Sequence, residues 1–483
     1  MVLALRLDKN TQIPLYRRVS EALLDAIKEG RLPAGTELPS AQDLANSLDV
    51  SRDTVVKSYR ELIGQGYLEA AKGSGTFVSK SVRQHSTRAL LKQVTHSAVE
   101  LPRELISHFG KRLMNTAVVE STSADLADLN YGSPPLEMLP STKWRELLLK
   151  YCKLHEPGKL EYDSHVFGHL PLRQSIASYL VRAKGVSCTA EQVIVFDGSQ
   201  NAFGHAARTL VDVGDTAVVE NPGYVGAREN LQAAGAILHA ADLDHEGMLV
   251  SGLPTRAKLC YVTPTHHDPT GVTMSAHRRR QLMHWAREHC AFIVEDAWDG
   301  DYNYGVRPPM PLQSMAPGAV LYIYSFWKVL FPLVTIGVMV VPPRLIPLFE
   351  RSKLLCERQF PMLEHLALFE FLSEGHFERH IRKTRKEYQS RRQALIYALS
   401  QRLRSGVLIP KQSAALHLHV QFRGPHDDEA ILSAAQKARL PLVATSKFYA
   451  AAARHGEFLL PFASIDAEKA EDLVASFAGA FGL

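Results

Sequence analysis

The sequence predicts an α/β chain: a small helical unit with a hairpin comes first, and a large region built on a mainly parallel sheet follows. Two observations carry the large region. Short apolar runs recur at Gln192–Phe196, Thr216–Glu220, Lys258–Thr263, Ala291–Glu295 and Val320–Tyr324, as expected of strands covered on both faces. Helical stretches such as Ala276–His289 lie between them, the alternation of parallel strands with crossover helices. A third observation carries the small unit: three amphipathic stretches and two short β-like segments occupy the first eighty residues.

Composition narrows the function classes. At roughly 150 residues per domain, 483 residues predict about three domains. Hydrophobic content of 46% with 22% charged residues is ordinary for a globular protein and excludes disordered, collagen-like and coiled-coil classes. No stretch approaches the roughly 18 uncharged apolar residues of a membrane span, and MVLALRLDKN lacks the basic start and long apolar stretch of a signal peptide. Cys152, Cys188, Cys260, Cys290 and Cys356 are scattered without a CxxC pair. They are expected to be buried or free thiols in a reducing cytoplasm, not a disulfide framework or a zinc site. Residues 1–112 hold 17 Lys+Arg against 12 Asp+Glu, whereas the remainder holds 38 of each. The basic excess therefore lies in the N-terminal quarter, mostly within 81–112, and suits a phosphate-facing end.

The elements of the small unit follow in order. Pro14 suits a helix start, and Leu15, Val19, Leu23 and Ile27 form an apolar stripe beyond it. Gly30–Gly35 turns the chain. Ser40 and Asp43 form a capping-box-like start to a second helix with Leu44 and Leu48 on its apolar face. Ser51 caps a third, whose Val55, Tyr59 and Leu62 face inward while Arg52, Thr54, Lys57 and Arg60 remain outside. Gly66 closes it, and Tyr67–Glu69 and Thr76–Val78 form a hairpin around Lys72–Gly75. Three helices and a hairpin make a winged helix-turn-helix, whose third helix enters the DNA major groove. Within the connector 80–125, Leu105, Phe109 and Leu113 are helically spaced and predict an arm packing on the next domain.

In the large region the notable residues fall where predicted strands end, which is where ligand sites of such sheets lie. Asp197-Gly-Ser-Gln200 opens a helix and suits a phosphate. Asn221-Pro-Gly-Tyr224 presents an aromatic. Thr263–Gly271 contains His266, His267 and Asp268; no third cluster of ligands accompanies them, so no metal is expected. Glu295–Asp296 ends one strand and Tyr324-Ser-Phe-Trp-Lys328 another.

Residues 13–78 resemble the GntR-type DNA-binding domain nearly end to end, with Gln42 where that family usually has Arg. The resemblance implies DNA contacts from Ser40, Gln42, Ser51, Arg52, Thr54, Lys57, Lys72, Ser74 and Thr76. The order of features downstream resembles the fold type I pyridoxal-phosphate enzymes of the aminotransferase class. It is carried by GHLPLRQSIASYLVRAKGVSCTAEQVIV (168–195), VDVGDTAVVENPGYVGA (211–227), VEDAWDGDYNYGVRPPMPLQ (294–313) and FWKVLFP (326–332). The combination is similar to the MocR group of GntR regulators. It implies a DNA-binding domain at 1–80, a basic linker and arm at 81–125, and an aminotransferase-like pyridoxal-phosphate domain with a smaller C-terminal subdomain at 126–483.

The resemblance further implies Lys328 as the Schiff-base lysine and Asp296 as the partner of the pyridine nitrogen. It implies Tyr224 as the stacking aromatic, and Ser199, Gln200 and Ser325 as the phosphate cup. Three positions depart from the pattern: Thr335 stands where an Arg usually holds the phosphate, Trp298 where a Tyr meets the ring hydroxyl, and Asp268 where an Asn does. The stretch Phe458–Phe462 lacks the Arg expected for a substrate carboxylate, and Arg454 lies nearby. The reading favoured is a homodimeric transcription regulator that binds pyridoxal 5'-phosphate and senses an amine, an amino acid or the cofactor itself. A working aminotransferase and a regulator with a degenerate cofactor site are the alternatives. Thr335, Trp298 and Asp268 favour the degenerate site over the working enzyme.

Overall fold

The structure is a computed structural model that describes residues 5, 13–71, 75–81, 106–115, 132–153, 166–304, 309–410, 416–424 and 427–481. It divides into two compact units, Met1–Leu105 and Ile106–Leu483.

In the first unit, helices α1 (Leu15–Lys28), α2 (Ala41–Leu48) and α3 (Arg52–Gly64) precede the antiparallel strands β1 (Leu68–Ala71) and β2 (Gly75–Val78). Val19, Leu23 and Ile27 are buried as their spacing predicts, but Leu15 is 39% exposed because it occupies the terminal turn. Ser40 and Ser51 cap α2 and α3, each accepting a backbone N–H from three residues on at 3.2 Å; such caps contribute about 1 kcal/mol each. Val55, Tyr59 and Leu62 join α1 in one core, and the Tyr59 hydroxyl donates to the Pro39 carbonyl at 2.8 Å. The segment before α2 adds a rung to the hairpin, since Leu38 N–H donates to the Thr76 carbonyl at 2.8 Å.

The second unit opens on α4 (His108–Asn115). The expected apolar pair of this arm is only partly covered. Phe109 and Leu113 are 40% and 44% exposed, and Leu105 lies outside the described residues. A polar anchor accompanies it: Arg112 Nε donates to the Ala233 carbonyl at 3.0 Å.

The large sheet has eight strands in the order β3-β10-β9-β8-β7-β4-β5-β6. These are β3 (Val193–Phe196), β4 (Thr216–Asn221), β5 (Ile237–Asp244), β6 (Gly247–Met248), β7 (Ala257–Val262), β8 (Phe292–Ala297), β9 (Val320–Ser325) and β10 (Gly337–Val340). The run β9, β8, β7, β4, β5 is parallel throughout. Alternate residues feed two different cores, as the period of two requires. Val193, Val195, Tyr322, Tyr324, Val338 and Val340 pack on one face. Ile194, Phe196, Leu321, Ile323 and Met339 pack on the other. β10 is antiparallel to both its neighbours, so its beginning lies at the edge where the parallel strands end. A four-stranded antiparallel sheet of residues 407–461 follows the long helix His376–Arg402. It shares the first of those cores through Leu418, Val420, Phe458 and Leu460.

Candidate functional site

At the C-terminal edge of the large sheet lies a cavity of about 540 Å³. All nine residues selected from the sequence line it: Ser199, Gln200, Tyr224, Asp268, Asp296, Trp298, Ser325, Lys328 and Thr335. Ser199 and Gln200 begin the helix Ser199–Leu210 directly after β3, behind Gly198 at φ 102°, a backbone conformation that glycine adopts without strain. A Cβ at Gly337 would collide with Ser199 N, so this glycine lets β10 approach the turn closely. Thr335 reaches the cavity because β10 runs against its neighbours.

Lys328 sits in a one-turn helix, Trp327–Leu330, just beyond β9. Its Nζ lies 4.8 Å and 4.6 Å from the ring centres of Trp298 and Trp327. Burial pulls its pKa down to about 8, against the opposing pull of Asp268, Asp299 and Asp296. A Cβ at Gly132 would strike this amine. Asp296, near the end of β8, accepts from the Tyr261 hydroxyl at 2.6 Å through Oδ2. Its Oδ1 is buried without a hydrogen-bond partner. Burial pushes its pKa up to about 7, with Asp268 and Asp299 adding to the rise and the Tyr261 bond and Lys328 opposing it.

The Tyr224 hydroxyl donates to Gln200 Oε1 at 2.8 Å, and its ring stacks on Tyr261 with centres 6.2 Å apart. The Trp298 indole N–H is engaged, donating to the His266 carbonyl at 2.8 Å; this residue offers the cavity its ring, not a donor for a cofactor hydroxyl. Asp268 is fixed through its backbone, whose N–H donates to Thr263 Oγ1 at 3.0 Å. That hydroxyl donates in turn to buried Glu220 at 2.7 Å. Ser325 Oγ accepts from Trp327 N at 3.2 Å. Arg454 is 66% exposed, lies 3.8 Å from Glu457 and is not among the cavity residues.

Sequence reasoning missed Tyr261, Trp327, Glu229, Lys447 and Gly132. Tyr261 is hidden in an apolar strand run and reads as core. Lys447 arrives from the C-terminal subdomain, held by Arg228, which donates to the carbonyls of Lys447 and Phe448 at 2.8 and 3.1 Å; nothing local marks it. Only Gly132, in a Gly-Ser-Pro-Pro stretch, carried a readable turn signal.

In the first unit, Arg52 and Lys57 are exposed on α3. Ser40 and Ser51 are occupied as caps, and the hydroxyls of Ser51 and Thr54 lie 2.8 Å apart. Gln42 donates to Asn46 Oδ1 at 3.1 Å. Thr76 pairs with Ala70 across the hairpin. Lys72 and Ser74 lie outside the described residues.

The bacterial regulatory proteins of the gntR family match residues 15–78, and aminotransferase class I and II matches residues 124–476. The probable rhizopine catabolism regulatory protein MocR of Rhizobium meliloti is 32% identical over 98% of this chain and 95% of its own length. The chain is a MocR-type GntR regulator. The pyridoxine biosynthesis transcriptional regulator PdxR of Corynebacterium glutamicum is 30% identical, over 81% of this chain and 79% of its own. Among solved structures, a kynurenine aminotransferase of Pyrococcus horikoshii in complex with PMP superposes with a TM-score of 0.70 at 25% identity. The match covers 80% of this chain and 98% of that one. This MocR-type chain is therefore a DNA-binding transcription regulator with an aminotransferase-like domain. No described helix is long and apolar enough to cross a membrane.

Three features of the MocR-type cavity fit a pyridoxal phosphate, while Thr335 and Trp298 supply neither an arginine for its phosphate nor a donor for its ring hydroxyl. The orphaned Asp296 Oδ1 is an acceptor for a ring N–H, the Lys328 amine is held nearby, and the N-terminus of Ser199–Leu210 presents N–H groups suited to a phosphate.

Proposed function

We propose that this regulator binds pyridoxal 5'-phosphate in the cavity, attached through Lys328, and senses an amino compound there. The observation that carries this reading is the orphaned oxygen of Asp296 beside the cavity that the Lys328 amine also lines. Bound there, the cofactor supplies an aldehyde that reacts reversibly with amines and a protonated ring that withdraws electrons. The protein's residues do the rest. Lys328 holds a nitrogen that burial keeps partly uncharged near neutral pH. Asp296, positioned by Tyr261, holds a proton on the ring nitrogen, and Tyr224 covers the ring. Ser199, Gln200 and Ser325 take the phosphate. Residues 1–80 read DNA, 81–125 link, and 126–483 sense. Two copies with paired winged helices would read repeated half-sites, in the cytoplasm where the DNA is.

The test is the visible spectrum of purified protein mixed with the cofactor, before and after borohydride. A yellow band that reduction converts into a covalent adduct on the peptide carrying Lys328 supports the reading. A colourless protein from which cofactor dialyses freely overturns it in favour of a degenerate site.

Two further outcomes follow. Thr335→Arg adds a guanidinium beside the start of Ser199–Leu210. A charged hydrogen bond contributes about 1.5–3 kcal/mol, so the cofactor Kd in an absorbance titration should fall about ten- to hundredfold. On the DNA side, α3 presents Arg52 and Lys57 to solvent. Arg52→Ala should weaken operator binding by about 1–3 kcal/mol. Lys57→Ala should lower the slope of log affinity against log salt by roughly one, measured by fluorescence anisotropy across a salt series.

A further inference from the structure

Three features of the cavity bear on the charge of its ligand. Its described lining holds four acidic residues, Asp197, Glu229, Asp268 and Asp296, against two lysines, Lys328 and Lys447, and no arginine; with Asp296 and Lys328 both engaged by the cofactor, three acids remain against one lysine. The faces of Trp298 and Trp327 bracket a cation: they already hold the Lys328 amine at 4.8 and 4.6 Å, a geometry in which indole rings attract positive charge. The strand Glu457–Pro461, where an anion-binding arginine would be expected, turns Phe458, Leu459 and Leu460 into the core, while Arg454 is exposed. A ligand carboxylate entering here meets like charges in a partly desolvated space, and an ammonium meets opposite charges and two aromatic faces.

We infer that the effector is a diamine-like molecule, with one primary amine to react and a second positively charged nitrogen, and without a carboxylate. The inference deepens the function proposed above and rests on it for the place where the ligand binds. With Lys328 engaged by the cofactor, the faces of Trp298 and Trp327 border the space for the ligand's second nitrogen, and Glu229 lines the same cavity.

The experiment is calorimetric titration of the full-length protein, cofactor-loaded and cofactor-free, with putrescine and with γ-aminobutyrate. These share a four-carbon chain and differ at one end, ammonium against carboxylate. Putrescine is expected to bind at least about tenfold more tightly, a modest charge preference of roughly 1.4 kcal/mol. Trp327→Leu should weaken putrescine roughly three- to thirtyfold, the range of a lost cation–π contact, and leave γ-aminobutyrate within about twofold; Glu229→Gln should narrow the preference in the same direction. Equal or tighter binding of γ-aminobutyrate, binding of neither compound, or equal weakening of both by Trp327→Leu overturns the inference. The visible band of the same samples reports on the cofactor separately. A missing band with the putrescine preference intact overturns the proposed function and upholds the charge selectivity. A band with γ-aminobutyrate preferred does the reverse.

Discussion

Lys328→Ala is expected to abolish the visible cofactor band and every borohydride-fixed adduct, and to remove the response of DNA binding to amines. The cavity contains a second lysine, Lys447, but the two are not equivalent. Lys328 stands just after β9, buried near Asp268, Asp296 and Asp299, with its pKa drawn down to about 8. An ordinary lysine, near 10.4, is uncharged in under about 1% of molecules at pH 8, whereas Lys328 is uncharged in about half. Only the uncharged amine attacks a carbonyl, so this setting raises the reactive fraction on the order of a hundredfold. The sign gives a second readout. Because the uncharged form is populated above the pKa, the rate of cofactor capture by the natural protein should climb as pH rises through about 8 and level off beyond it. Stopped-flow absorbance checks the profile, and anisotropy with labelled operator DNA checks the amine response. A variant that still answers to amines as the natural protein does would end the case for covalent sensing.

The site was legible because its chemistry sits at strand ends, where a buried apolar run stops and a polar or aromatic group follows. Lys328 after Val320–Ser325 and Asp296 within Phe292–Ala297 are marked by that contrast. The same logic hides Tyr261. One ring within Ala257–Val262 reads as core, and only the fold reveals that its hydroxyl meets Asp296. β10 was missed because Gly337–Val340 is four residues long and follows β9 with only the one-turn helix Trp327–Leu330 between them; its antiparallel course breaks the expected alternation. β5 was missed for the opposite reason. Its burial is incomplete, with Ile237 61% exposed, so its sequence lacks the signature of a covered strand. Lys447 is more than a hundred residues from Lys328 in sequence and lines the same cavity only because the C-terminal subdomain folds back to it. For the arm at His108–Asn115, spacing identified the helix and its apolar pair, which is partly covered, but nothing in the spacing marked Arg112, which makes the polar attachment to Ala233.

Asp296→Asn should separate what this carboxylate does for the cofactor from what it costs the fold. The side chain is buried, its Oδ1 lacks a hydrogen-bond partner, and its pKa stands near 7 when folded against an ordinary 3.8. Between about pH 4 and pH 7 the folded protein therefore holds a proton that the unfolded chain has released, so stability declines as pH rises through that window. Above 7 the buried carboxylate is ionised and the penalty is complete. Asparagine has nearly the same shape, keeps an oxygen for the Tyr261 hydroxyl, and never ionises. Without cofactor, the variant should thus melt above the natural protein at pH 8, by about 2–5 °C for a few kcal/mol in a domain of this size. The gap should close as pH falls through 7 toward 4. With cofactor the order reverses. The carboxylate's charge is what keeps a proton on the ring nitrogen, and losing a charged hydrogen bond weakens binding by about 1.5–3 kcal/mol, or about ten- to hundredfold in Kd. Thermal unfolding with and without cofactor at pH 5 and pH 8 provides all four comparisons. A variant that is less stable without cofactor at pH 8, or that binds cofactor as tightly as the natural protein, would show that Asp296 is an ordinary structural carboxylate. The crossing of the two effects identifies a group whose burial is unfavourable to the empty fold and is offset only when a cationic ring nitrogen meets it.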